Sequence, residues 1–209
     1  MIIHTMVNGI QLTKNQARLM KYFTANIGRQ FTINGIAKTL DMNVSLVHRS
    51  TTALLKEHRL IRLTKENHLT IDYFHNHEVL AYIEYLRREE CLNTHKAITE
   101  FREEVRSKLK HEYFIMILFG STVNKSNPRD YDILFIFEDD EKVRKREKAL
   151  GQMAHNCGGK FDINVVAVDS IYEMAAKRSQ KNILNESLNK HIILHGAEEF
   201  YRLLKDARQ

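Results

Sequence analysis

Apolar positions in the first third of the chain recur at three- and four-residue steps. In "LTKNQARLMKYFTAN" the residues Leu12, Leu19, Met20 and Phe23 share a face, which predicts an amphipathic helix with Thr13 as its N-cap. "TINGIAKTL" predicts a short second helix capped by Thr32, "DMN" a turn, and "NVSLVHRSTTALLKEH" a third helix capped by Asn43. The inward face of that third helix is expected to carry Val44, Val47, Leu54 and Leu55, leaving Ser45, His48, Arg49, Thr52 and Lys56 on the other side. "LIRLT-KEN-HLTIDY" then alternates about a polar turn, predicting a hairpin with Lys65 at its tip.

Residues 76–110 return to the helical period, with Val79, Leu80, Ile83 and Leu86 in one stripe and Ile98, Phe101, Val105 and Leu109 in another. "CLNTH" between the stripes predicts a break with a fresh cap. No Gly-, Ser- or Pro-rich linker interrupts the chain, so its two ends are expected to be joined by helix rather than by a flexible tether. Beyond residue 110 the pattern changes to nearly unbroken apolar runs: "YFIMILFG", "YDILFIF", "KFDINVVAV" and the shorter "HIILHG". Such runs suit strands covered on both faces. The segments between and after them, "DDEKVRKREKALGQMAHN", "SIYEMAAKRSQKNILNESL" and "AEEFYRLLKD", predict helices, so this half is expected to be α/β.

Composition narrows the class. Of 209 residues, 43% are hydrophobic and 28% charged, as in a soluble globular protein. No apolar stretch reaches the roughly 18 residues of a membrane span, and the N-terminus lacks the pattern of a signal peptide. A cytoplasmic protein without a membrane partner is expected. Cys91 and Cys157 stand far apart with no Cys-x-x-Cys, which suggests neither a disulfide framework nor zinc. His75-Asn76-His77 falls short of the four convergent ligands of a structural zinc site. The net charge of +6 is unevenly placed: residues 1–75 hold ten Lys or Arg against four acids, and the remainder balances at 22 against 22. The excess positive charge therefore lies in the first third, where it would attract a polyanion.

Helix, short helix, tight turn, longer helix and hairpin, over about residues 10–74, resemble a winged helix-turn-helix domain. That resemblance implies a unit over residues 1–75 whose third helix enters the major groove of duplex DNA. It makes Ser45, His48, Arg49, Thr52, Lys56 and the wing-tip Lys65 the DNA-binding candidates. Such units also contact proteins and RNA. Where many members have glycine after the third helix, His58-Arg59 stands here.

The most unusual chemistry lies in "LFGSTVNKSNPRDYDILFIFED", where Asp130 and Asp132 stand at the mouth of an apolar strand. Strand alternation turns both to one side and Tyr131 to the other. Asp162, near the start of another buried strand, could lie beside them. Three such carboxylates could not all stay ionised without a cation, and an oxygen-only donor set suits Mg²⁺ with phosphate oxygens in its remaining positions. Gly120-Ser121 at the end of the preceding strand could bring backbone N–H groups and a hydroxyl to phosphate. Gly-Ser, a spacer, Asp-x-Asp and a third Asp on a later strand resemble the nucleotidyltransferase superfamily that includes DNA polymerase beta, most closely its minimal members, over about residues 95–206. The resemblance implies a domain over residues 111–209, its first helix beginning near residue 95, with the helical bridge of residues 76–110 before it. It further implies two Mg²⁺ ions held by Asp130, Asp132 and Asp162, transfer from an NTP with ATP the default, and phosphate contacts from Ser121. Many minimal members have Ala-Arg-Gly after Gly-Ser, whereas Thr-Val-Asn-Lys-Ser follows here. Lys125 or Arg129 could replace that arginine, and Lys177, Arg178 and Lys181 could add nucleotide contacts or simply be a solvated helix face.

Relatives of that kind include antitoxins that nucleotidylate a partner toxin, enzymes that modify antibiotics, and enzymes that act on RNA, so a protein, an RNA or a small molecule could be the acceptor. The alternative reading is a winged-helix regulator whose second half is a nucleotide sensor or an inert dimerisation unit. A homodimer is compatible with either reading.

Overall fold

A computed structural model describes residues 5–7, 9–124, 130–139, 141, 143–176 and 182–208. Three side-chain caps set the first helices. Thr13 opens α1 (Lys14–Thr24) with a capping box: its hydroxyl accepts from the Gln16 N–H at 3.3 Å, and Gln16 Oε1 accepts from the Thr13 N–H at 2.7 Å. Thr32 caps α2 (Ile33–Leu40) through the Gly35 N–H, and Asn43 caps α3 (Val44–Lys56) through the Ser45 N–H. Asp41, in the left-handed conformation, ends α2. Arg59 does the corresponding work after α3 with φ of 50°. A non-glycine there costs about 1–2 kcal/mol, and the Leu60 N–H returns to Leu54 O at 2.9 Å.

A hairpin follows, β3 (Ile61–Leu63) and β4 (Leu69–Ile71). It is preceded at the start of the chain by another that the sequence pattern did not predict, β1 (Thr5–Val7) and β2 (Ile10–Leu12), turning at Gly9 with φ of 74°. The inward face of α3 also differs from expectation. Val47 and Leu54 are buried together with Ser50 and Thr51, whereas Val44 is 48% exposed and Leu55 only half-buried. Thr51 is tolerated inside because its hydroxyl donates to Val47 O at 2.9 Å.

After the hairpin come α4 (His77–Leu92) and α5 (Lys96–Lys108). No side-chain cap starts α5: His95 makes no capping bond, and the Thr94 hydroxyl donates back to Cys91 O instead. Four strands, β5 (Phe114–Phe119), β6 (Tyr131–Phe137), β7 (Phe161–Ala167) and β8 (Ile192–His195), form one sheet in the order β7-β6-β5-β8. It is mixed: β6 and β7 are parallel, while β5 runs antiparallel to both β6 and β8. Helix α6 (Val143–Asn156) makes the parallel crossover and buries Leu150 and Ala154. The stretch "SIYEMAAKRSQKNILNESL" is not one helix: α7 (Val168–Ala176) ends before Asn182 opens α8 (Ile183–Ser187). Asn182 is extended, and its side chain accepts from the Asn185 N–H at 2.8 Å, geometry that starts a helix and cannot continue one. Helix α9 (Ala197–Asp206) closes the chain.

Alternation along β6 divides the core. Ile133, Phe135 and Phe137 pack with α5 and α6 on one face. Leu134 and Ile136 join a cluster on the other face that continues through α9 and α4 into α1–α3. At the junction of α4, β8 and α9, Glu84 is fully buried among Arg87, His191 and Tyr201. Cys91 and Cys157 are buried free thiols, each pushed up to about 11 by burial. Among the described residues no helix is long and apolar enough to cross a membrane.

Candidate functional site

The carboxylates are positioned by strand register. Asp132 pairs with Asp162 across the parallel β6–β7 ladder, and with Phe119 across β5–β6. Direct partners in a ladder share a face, so Asp132 and Asp162 open into the same cleft of about 570 Å³. Phe119, Gly120, Asn164, Asn182, Ile183 and Glu186 complete its lining. Asp130 precedes the strand and is half-buried, near enough to act on Asp132. Burial first, then the charges of Asp130, Asp162 and Glu186, hold the Asp132 carboxyl above its ordinary range.

Gly120 makes this packing possible. Its φ is 80°, and a Cβ there would overlap Oδ2 of Asp132. From Gly120 the chain enters a 3-10 turn, Gly120–Asn124, that carries the exposed Ser121. The buried Thr122 fixes this turn to the aspartates, its hydroxyl donating to Asp130 O at 2.6 Å. Gly120→Ala is therefore expected to lower stability by about 1–3 kcal/mol, since both φ and space oppose the methyl group. In a thermal-melt double-mutant cycle, Asp132→Ala should recover the overlap component and leave the backbone component.

As placed, no three His, Cys, Asp or Glu side chains among the described residues converge as a ready metal cage. The register brings together two carboxylates, Asp132 and Asp162, with Asp130 beside them. That donor chemistry fits Mg²⁺, which takes one or two protein carboxylates and fills its other positions with water and phosphate oxygens. Lys125, Arg129, Lys177 and Lys181 lie outside the described residues. Sequence reasoning missed Thr122, Asn164, Asn182 and Glu186. Of these, Asn164 was within reach, because it stands two residues after Asp162 and so shares its face.

The basic first third presents a second concave surface, of about 910 Å³, lined by residues of α2, α3 and the hairpin turn. Ser45, His48 and Arg49 face it, together with Asn34, Asn43 and Asn67. Lys56 and Lys65 are exposed outside this lining, and Thr52 is half-buried with its hydroxyl donating to His48 O at 2.8 Å. Ser45 is partly committed too, its Oγ donating to Asn43 Oδ1 at 2.6 Å. Neither carries a charge, and the Lys and Arg side chains of α3 are Arg49 and Lys56.

No family model and no curated protein matches this chain. Among solved structures, the crystal structure of IclR from Thermotoga maritima aligns with 14% identity and a TM-score of 0.26, over 51% of this chain and 40% of that one. The chain thus spans less than half the length of that protein, and the likeness is too slight to assign a fold.

Proposed function

We propose that the chain is a Mg²⁺-dependent nucleotidyltransferase that moves a nucleotidyl group from an NTP, with ATP the default, to an acceptor. In this reading its first 75 residues are a winged helix-turn-helix unit that binds duplex DNA. The observation that carries the first part is the register pairing of Asp132 with Asp162 in one cleft, beside a glycine whose missing side chain makes room for the carboxylate. Asp132 and Asp162, with Asp130, would hold the ions, which supply charge neutralisation at phosphate and a more acidic acceptor hydroxyl. Ser121 presents a hydroxyl at the exposed start of the turn, where it can donate to a phosphate oxygen. Thr122 keeps that turn in place against Asp130. The repulsion acting on Asp132 is itself a reason for the site to favour a cation.

The test is incubation of the protein with labelled NTPs, Mg²⁺ and cell extract, followed by identification of what becomes labelled. Asp162→Asn is the control. Equal labelling by the two proteins would remove the transferase reading and leave a regulator with a sensor or inert second half.

For the first third, the supporting observations are a net charge of +6 over residues 1–75 and a concave surface framed by α2, α3 and the hairpin turn, with Arg49 in its lining. The full chain is expected to bind duplex DNA with an affinity that falls steeply as salt rises. Arg49→Ala with Lys56→Ala should weaken binding and reduce the slope of log K against log salt by about 2 if both contact phosphate. Absence of any salt-dependent binding at low ionic strength would sink the DNA reading.

A further inference from the structure

The two edges of the sheet are finished differently. Residues Ile192–Leu194 of β8 are buried, and carbonyls along it are taken by guanidinium groups. Arg87 donates to His191 O, and Arg102 Nε donates to Leu194 O at 2.8 Å. At the opposite edge, only Ala167 of the seven residues of β7 is fully buried. The Tyr131 N–H bonds Lys160 O at 2.8 Å, and β7 runs parallel to β6 in unbroken register. The peptide groups of Lys160, Asp162, Asn164 and Val166 therefore turn toward β6, and those of Phe161, Ile163, Val165 and Ala167 turn outward. Among the described residues no strand pairs with that outer side. Proteins ordinarily blunt such an edge with lysine, proline or a bulge. "FDINVVA" contains neither residue, and its ladder shows no register shift.

We propose that β7 pairs with β7 of a second copy, antiparallel about a two-fold axis at Asn164, so that two four-stranded sheets become one. Outward peptide groups can bond only if odd-numbered residues face odd-numbered residues. The register that also uses the whole strand sets Asn164 opposite itself. It places Phe161 against Ala167, large on small, and Ile163 against Val165, a β-branched pair of the kind that stabilises sheets.

One pair of opposite charges suits the same arrangement. Asp162, Asp132 and Glu186 lie near the Phe161 end of the strand. Near the Ala167 end both signs are exposed, Glu138, Asp139 and Glu141 after β6 and Arg144, Lys145 and Lys148 at the start of α6. The Arg146 guanidinium stands 4.3 Å over Phe137, the ladder partner of Ala167, which fixes that end of α6 there. An antiparallel partner sets Lys160 opposite Val168 of the second copy, next to its exposed Asp169. Asn164 lines the candidate cleft, so the pairing also extends the cleft wall beside Asp162 with the second copy's Asn164 and Val166. The inference stands whether or not that cleft transfers nucleotides.

Light scattering and sedimentation should show the wild-type chain as a dimer at micromolar concentration. Val165→Pro removes an outward N–H that β6 does not use, so the variant should keep its circular-dichroism spectrum and become monomeric. Asn164→Cys supplies a second test that does not depend on that variant folding. In this register residue 164 forms a non-hydrogen-bonded pair with Cα atoms about 4.5 Å apart, within reach of a disulfide. Mild oxidation should cross-link Asn164→Cys and not Asp162→Cys, with the native thiols buried. A monomeric wild type would overturn the proposal and leave the edge to an extended peptide. A dimer untouched by Val165→Pro, or a folded Asn164→Cys that does not cross-link, would overturn it as well.

Discussion

Asp132→Asn is expected to reduce nucleotide transfer by about 10³-fold or more while leaving thermal stability unchanged or raised. The two halves of this expectation have one cause. Asp132 sits partly buried with Asp130, Asp162 and Glu186 acting on it, and its carboxyl is held above its ordinary range. A group whose folded-state pKa is raised above the unfolded value opposes folding when ionised. That opposition is present at neutral pH and is relieved as pH falls through the folded-state value. Replacing the carboxylate by the near-isosteric amide removes the repulsion and, in the proposed mechanism, removes a metal ligand. A purely structural aspartate would show the reverse, loss of stability with no specific loss of chemistry. Melting curves add a readout that needs no acceptor: Mg²⁺ with an NTP should raise the wild-type Tm and have much less effect on Asp132→Asn. Equal Mg²⁺-dependent shifts in the two proteins would place the metal elsewhere.

What could be read from the sequence followed from how local the governing interaction is. Thr13, Thr32 and Asn43 were legible as caps because a capping bond spans only two or three residues. The pairing of Asp132 with Asp162 was half-legible. Alternation along each strand gives the face, but whether the two strands are neighbours, and in which register, is set by α6 and by packing that no window of residues shows. Glu186 and Asn182 were not legible, because α8 reaches the cleft from a distant part of the chain. Val44 fits the apolar spacing of α3, yet it stands in the first turn and opens onto the concave surface rather than into the core. Helix α4 misleads in the opposite sense. Glu84 and Arg87, three residues apart, have the spacing of a solvated surface pair, but β8 and α9 cover them.

That covered pair gives the largest expected stability effect. Arg87→Met should destabilise the protein by about 3–5 kcal/mol, because it leaves an uncompensated buried carboxylate. At this chain length that corresponds to a fall in Tm of about 6–20 °C. Glu84 is 0% exposed, and Arg87 Nη1 lies 2.7 Å from each of its oxygens. The Tyr201 hydroxyl donates to Oε1 at 2.9 Å. His191 Nε2 is 3.7 Å away, too far for a hydrogen bond, and burial holds that imidazole below its usual pKa. Burial alone would raise the Glu84 carboxyl, but the Arg87 guanidinium, with the Tyr201 hydroxyl, brings it down to about 2 from 4.5. With the folded-state value depressed, Glu84 contributes its stability fully above about pH 4.5, and that contribution is lost as pH falls toward 2. His191 acts in the same direction from a higher starting point, since a buried neutral imidazole is lost to protonation of the unfolded chain below about pH 6.5. Urea denaturation followed from pH 7 to pH 3 should therefore show wild-type stability declining in two stages. In Arg87→Met the lower stage should vanish or reverse, because protonating the stranded Glu84 then relieves the fold. Glu84→Gln with Arg87→Met should be more stable than Arg87→Met alone at pH 7, since the amide can still accept from Tyr201 without a buried charge. If the double variant were the less stable, the carboxylate would be held by groups other than Arg87.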